Sequence, residues 1–139
     1  MPLIIAVFIV LVLLGFMFWA VAHEQPPSPA EVAVAYESAW DHLNFSMLFD
    51  LSGAELRDGM RRDAFVAAKH DAYGDHPRGR LAAHIDIDTE IKGKETALVV
   101  TRVSTDEGSV RNNVLLERRG GSWAVVGYTL RPEADTATN

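Results

Sequence analysis

Residues 81–91 read LAAHIDIDTEI, and within them the apolar side chains recur at every second position. Ile85, Ile87 and Ile91 fall on one face of an extended chain, with Asp86, Asp88 and Glu90 on the other. Downstream the same period continues. ETALVVTRVST (95–105) is rich in β-branched residues, and SVRNNVLLERR (109–119) and SWAVVGYTL (122–130) follow. The separators KGK, DEG and RGGS place glycine where a hairpin turn needs positive φ. Four antiparallel strands are therefore expected past Arg80.

Upstream the period is helical. In SPAEVAVAYESAWDHL (28–43), Ser28 and Glu31 have capping-box spacing and Pro29 falls at the first helical position. Val32, Tyr36, Ala39, Trp40 and Leu43 share one face, which leaves Glu37, Ser38 and Asp41 on the opposite one. Asn44 reads as a stop, and SMLFDLS as a short turn of helix with Leu48 and Phe49 inward. Ser52 and Glu55 repeat the capping-box spacing, and Asp58-Gly59 breaks the helix. A further helix is expected over about 62–73, with Phe65, Ala68 and Ala72 at helical intervals and Gly74 as a left-handed terminator. Three helices followed by four antiparallel strands make an α+β domain, in which a sheet folds over a long helix to bury both apolar faces.

Two phrases carry a resemblance. WDHLNFSMLFDLSG (40–53) follows an aromatic opening helix, and ERRGGSWAVVGYTL (117–130) runs through a Gly-Gly turn into a Trp strand. In these the chain resembles the NTF2-like (cystatin-like α+β cone) superfamily, especially its small exported bacterial members, from Ser28 to Arg131. It departs from that pattern in showing no first strand between the helices. The resemblance implies a curved sheet forming a cone, and Trp40 and Trp123 as core residues. In catalytic relatives it implies an Asp base or His-Asp pair with a Tyr donor inside the cone.

The other end of the chain is apolar. Leu3 to Ala22 carries no charge and no polar stripe, and twenty helical residues rise about 30 Å, the thickness of a bilayer's hydrocarbon. Phe16, Phe18 and Trp19 sit where an interfacial aromatic belt would fall. The start has no Lys or Arg, unlike a signal peptide, although Ala20-Val21-Ala22 fits a cleavage pattern. Residues 1–22 are therefore expected to be a permanent anchor, with a freely secreted domain released after Ala22 as the alternative. HEQPPSP (23–29) is a stiff linker, 30–131 the domain and 132–139 a polar tail. The first basic residue after the span is Arg57, which suits an extracytoplasmic domain and a cytoplasmic N-terminus.

The net charge of −6 belongs wholly to the part after Ala22, so a nucleic-acid partner is excluded for want of a basic face. Cysteine is absent, which excludes disulfides and thiol chemistry. Candidate chemistry is sparse. Tyr36 lies on the apolar face of its helix while Asp41 and His42 lie off it, so donor and base cannot share a substrate. Asp86 and Asp88 could act as paired carboxylates, but alternation alone puts them on a wet sheet face. His70, Asp71, Asp75 and His76 are metal-competent residue types at no defined spacing. Asn44-Phe45-Ser46 is an acceptor sequon with Phe45 expected inside. An apolar cavity lined by Tyr36 or His84 would favour ligand binding, or isomerase- or dehydratase-like activity.

The expectation is a non-enzymatic protein with no cofactor, no metal and no small-molecule ligand, held at the cell membrane by a single span. Its Ala- and Arg-rich style resembles actinobacterial proteins. Small tethered subunits of the respiratory cytochrome oxidase assemblies of such bacteria are the implied setting. The expected partner is a larger integral membrane complex, with the chain as an accessory or assembly subunit.

Overall fold

The computed structural model describes residues 2–75, 84–105 and 108–132. Helix α1 spans Pro2–Ala22, α2 Pro29–Asp41, α3 Phe45–Leu51 and α4 Arg62–Tyr73, with a 3-10 turn at Ala54–Leu56. Strands β1 His84–Lys92, β2 Thr96–Thr105, β3 Gly108–Arg119 and β4 Ser122–Pro132 form one open antiparallel sheet in the order β1-β2-β3-β4. The architecture is the expected α+β one: three helices on one face of a four-stranded sheet, preceded by a separate apolar helix.

Local chemistry accounts for most element ends. Ser28 Oγ accepts the Glu31 amide at 3.3 Å, and the Glu31 carboxylate accepts the Ser28 amide at 2.7 Å, so the capping box is closed in both directions. Asp58 and Gly59 both take positive φ and end the 3-10 turn before α4. At the last hairpin Arg119 pairs with Ser122, and Gly120 and Gly121 have φ of 58° and 83°. A two-residue loop with both central φ positive matches the right-handed twist of the strands it joins.

Three local expectations fail. Asn44 does not stop α2. That helix ends at Asp41, Leu43 turns the chain at a φ of 53°, and the Asn44 side chain accepts the Met47 amide to start α3. Ser52 does not cap the next helical turn. It is buried, its hydroxyl donates to the Leu48 carbonyl at 2.6 Å, and Gly53 precedes the turn instead. Gly74 is right-handed, with φ −61° and ψ −29°, and its amide still donates to His70.

The core lies between α2, α3, α4 and the inner sheet face. Phe45, Leu48, Phe65, Val99, Val114, Leu116 and Val125 are almost wholly buried, and burial of each such side chain contributes about 1.5–3 kcal/mol. Trp123 is buried as expected, and Trp40 packs edge-on against Phe45 and Tyr73. The strand missing from the helical half is reduced to a single parallel bridge between Ser52 and Val125, reinforced by the Gly53 amide on the Val125 carbonyl at 2.7 Å.

Two bulges reset the alternation. One lies between Ile87 and Thr89, so that Ile87 pairs with Thr101 but Ile91 pairs with Leu98. Ile91 is thereby moved off the face it was expected to share with Ile85 and Ile87, and it is 62% exposed. The other bulge lies opposite Leu115 and Leu116, where Val126 is the extra residue of β4. Helix α1 buries nothing, and Ile4–Ala22 is long and apolar enough to cross a membrane. A signal sequence near an N-terminus meets the same criterion of length and apolarity.

Candidate functional site

Strand parity puts two polar side chains among the inward-facing residues. Ala97 and Val99 are buried on β2, and two positions on comes Thr101; Leu116 and Val114 are buried on β3, and two positions back comes Asn112. Thr101 and Asn112 stand directly opposite one another in the register. On β4 the parity that buries Trp123 and Val125 would turn Tyr128 outward. The extra residue Val126 reverses it, and Tyr128 pairs with Val114 on the inner face.

These three side chains converge on Glu37 of α2, which is 5% exposed. The Thr101 hydroxyl donates to Glu37 Oε1 at 2.6 Å, and Asn112 Nδ2 donates to the same oxygen at 2.8 Å. The Tyr128 hydroxyl donates to Oε2 at 2.7 Å and accepts from Asn112 Nδ2 at 2.9 Å. No Lys, Arg or His among the described residues pairs with this carboxylate. Three neutral donors satisfy its oxygens, while no opposite charge among the described residues offsets its burial. The cluster also sets the amide of Asn112: reversed, its oxygen would face a carboxylate. Asn112 Oδ1 is thus left buried without a hydrogen-bond partner.

Tyr36 packs beside the cluster, its ring 5.2 Å from that of Tyr128. Burial pushes both phenols up from the ordinary value of 10.0, and for Tyr128 the charge and hydrogen bond of Glu37 push further in the same direction. The cluster therefore offers a carboxylate, a phenol held protonated and one unused acceptor. Leu130 and Ile87 lie in the same inner register row as Asn112 and Thr101, and are 63% and 37% exposed.

Glu37 corrects the sequence reading, which put it on the solvent face of α2. It sits one turn beyond Ala33, itself wholly buried, at the edge of the apolar stripe. The usable signal was not in the helix but in the strands, where Thr101 and Asn112 hold inward positions and need a polar partner.

The other candidates stay apart. Tyr36 is in the core. The His42 ring is exposed, with Nδ1 bonded to the Ser38 carbonyl at 2.9 Å, and Asp41 Oδ2 lies 3.8 Å from it. Asp86 faces His84 at 2.9 Å. Asp88, the bulge residue, shares its Oδ2 between Arg102 at 3.0 Å and Arg111 at 2.8 Å. His70 stands edge-on to Phe45, Asp71 and Asp75 are exposed, and His76 lies outside the described residues, as does most of the 132–139 tail. Among the described residues no group of three or more His, Asp or Glu is placed to hold a metal ion. Phe45 of the sequon is buried.

No protein-family model matches the chain, and no curated protein matches its sequence. Solved structures do. A calcium/calmodulin-dependent protein kinase type II association domain from Thiobacillus denitrificans superposes with a TM-score of 0.58 at 14% identity, over 78% of this chain and 97% of that one. A DUF4783 family protein from Bacteroides ovatus gives 0.51 at 13% identity, over 80% and 99%. An NTF-2-like protein from Silicibacter pomeroyi also matches, over 52% of this chain and 57% of that one at 19% identity, but its TM-score of 0.36 carries no argument. At these identities the likeness concerns fold alone. The fold of this chain is the one it shares with that association domain.

Proposed function

We propose that this protein is a non-catalytic, single-pass membrane protein whose NTF2-like domain serves as an accessory or assembly subunit of a larger integral membrane complex, a respiratory cytochrome oxidase assembly being the foremost candidate. The observation that carries this reading is α1. Every described side chain of Ile4–Ala22 is exposed, and none packs on the domain. Leaving even a few Leu, Ile or Phe side chains in water forgoes about 1.5–3 kcal/mol each, so the segment belongs in lipid or against another apolar helix. The absence of Lys and Arg between Ala22 and Arg57 supports an extracytoplasmic domain. The six residues 23–28 between α1 and α2 span at most about 20 Å, so the domain stays close to the bilayer and meets membrane neighbours at a raised effective concentration. A surface groove of about 540 Å³ between α2, Met47 and Ile87, lined mostly by apolar atoms of Ala30, Val34 and Ala35, supports a protein contact.

The test is purification of the full chain from native membranes in mild detergent through a C-terminal tag, with identification of co-purifying proteins. Recovery with a stoichiometric membrane complex is expected. Recovery alone as a monomer would count against the subunit reading, and a mature chain starting at His23 in the soluble fraction would remove the tether.

A second reading rests on Glu37. A buried carboxylate beside a protonated phenol, with an unused acceptor on Asn112, suits a ligand-binding or acid-base role inside the cone. Thermal-shift screening of small apolar molecules bearing one hydrogen-bond donor tests it. A stabilising compound whose effect vanishes in E37Q would favour this reading over the first, and a screen without such a compound would leave the first.

A further inference from the structure

The two edges of the sheet are finished differently. Along β4 the Ser52–Val125 bridge and the Gly53 amide on the Val125 carbonyl bring a backbone partner from the helical half. Along β1, nine residues from His84 to Lys92, no described residue pairs with the edge that faces away from β2. A row of unpaired amides and carbonyls of that length is a template for another strand. Beside it lies the mostly apolar groove of about 540 Å³ between α2 and Ile87, with Val34, Ala35 and Met47 in its lining. Ile87 belongs to the inner face, so a strand added to β1 would turn every second side chain towards that groove. The alternate side chains would lie on the outer face, where Asp88 is engaged by Arg102 and Arg111. Asp86 is the carboxylate at hand there, its side chain 49% exposed and its partner His84 exposed as well.

We infer that the β1 edge takes up an extended segment of a partner protein that alternates basic and apolar side chains, the basic ones on the Asp86 face and the apolar ones in the groove. A second copy of this chain fits less well. In the antiparallel registers centred on Asp86, Ile87 or Asp88, Asp86 would stand opposite Asp86, Asp88 or Glu90 of the other copy, and like charges so placed repel. The Lys92 end of the edge lies beside Gln25, Pro26 and Pro27, on the side from which the tether arrives. The inference rests on the subunit reading and places its contact on the domain rather than on α1.

The full chain in detergent is titrated with a fluorescein-labelled heptapeptide alternating lysine and valine, at constant ionic strength. Anisotropy reports binding, and hydrogen exchange is followed along β1. Saturable binding with added protection of β1 is expected. A peptide alternating glutamate and valine should bind about tenfold more weakly, the effect of one charge contact, and the lysine–valine peptide N-methylated along its backbone should not bind. Asp86→Lys should reverse the preference between the two charged peptides. Ala35→Arg, at a half-buried position of α2, should weaken binding about tenfold by filling the groove. Binding indifferent to Asp86→Lys would mark general attraction to a chain of net charge −6 and overturn the inference. No binding, equal binding of the N-methylated peptide, or protection outside β1 would do the same. A concentration-dependent dimer that protects β1 without peptide would hand the edge to a second copy, against the inference. Should Ala35→Arg fail to fold, the Asp86→Lys preference still decides. Peptide binding by a chain that purifies alone would remove the subunit reading and keep the edge site; a co-purifying complex with no peptide response would remove the edge site alone.

Discussion

On the inner face of the sheet Glu37 is 5% exposed and held by three neutral donors; on the outer face the Asp88 side chain is 20% exposed and held by two guanidinium groups. Both carboxylates depend on a β-bulge, at Val126 for the donor Tyr128 and at Asp88 itself. The difference lies in the surroundings. Inside, a lost partner leaves polar groups that water cannot reach, at about 1–3 kcal/mol each. Outside, water and salt replace a lost partner, and an exposed ion pair is worth about 0–1 kcal/mol. The inner cluster is therefore tied to the stability of the fold. The outer one can lose a partner without unfolding the protein.

Deleting Val126 should have the largest effect. Without the extra residue Tyr128 and Leu130 turn outward, the cluster loses its phenol and the end of β4 is mispaired. A loss of about 4 kcal/mol is expected in thermal melts of the full chain in detergent, at the upper end for a single change. A stability close to wild type would show that the bulge does not set the inner face. Glu37→Ala comes next, at about 3 kcal/mol, because it strands the donors of Thr101, Asn112 and Tyr128 together. Glu37→Gln should cost less, since it keeps an acceptor.

Tyr128→Phe should cost about 2 kcal/mol near neutral pH, the value of a hydrogen bond to a buried charged group. It should also alter the alkaline limb. Tyr36 and Tyr128 have raised pKa values in the fold, so above pH 10 the unfolded chain releases protons that the folded chain retains. Stability is full below the ordinary value of 10.0 and falls as pH rises past it. Melts between pH 9 and about 11 should show this fall in wild type and a shallower one in the Phe variant. The smallest effect is expected of Asp88→Ala, under about 1 kcal/mol and shrinking further in salt. A large, salt-insensitive loss would erase the contrast between the two faces.

Much of the scaffold was legible along the chain. The capping box at Ser28 and Glu31, the Asp58-Gly59 break, the 62–73 helix and the Gly-Gly hairpin are all encoded within a few residues, and each formed where local chemistry placed it. The misreadings share a cause. Ser52 has capping-box spacing but is claimed by the Leu48 carbonyl and the Val125 bridge. Ile91 keeps the alternation of Ile85 and Ile87 on paper and loses it at the Asp88 bulge. Glu37 lies on the border of an apolar stripe, where one helical wheel allows either environment.

Periodicity, caps and turn residues act over one to four positions. The amino-acid order alone therefore settled an apolar leading helix, three short helices and four strands. Which side chains face each other depends on register and on where an extra residue is inserted, and both are set by packing across the sheet rather than along the chain. The Glu37 cluster and the Arg102–Asp88–Arg111 group join residues from separate elements, so they came into being only when the sheet closed on α2.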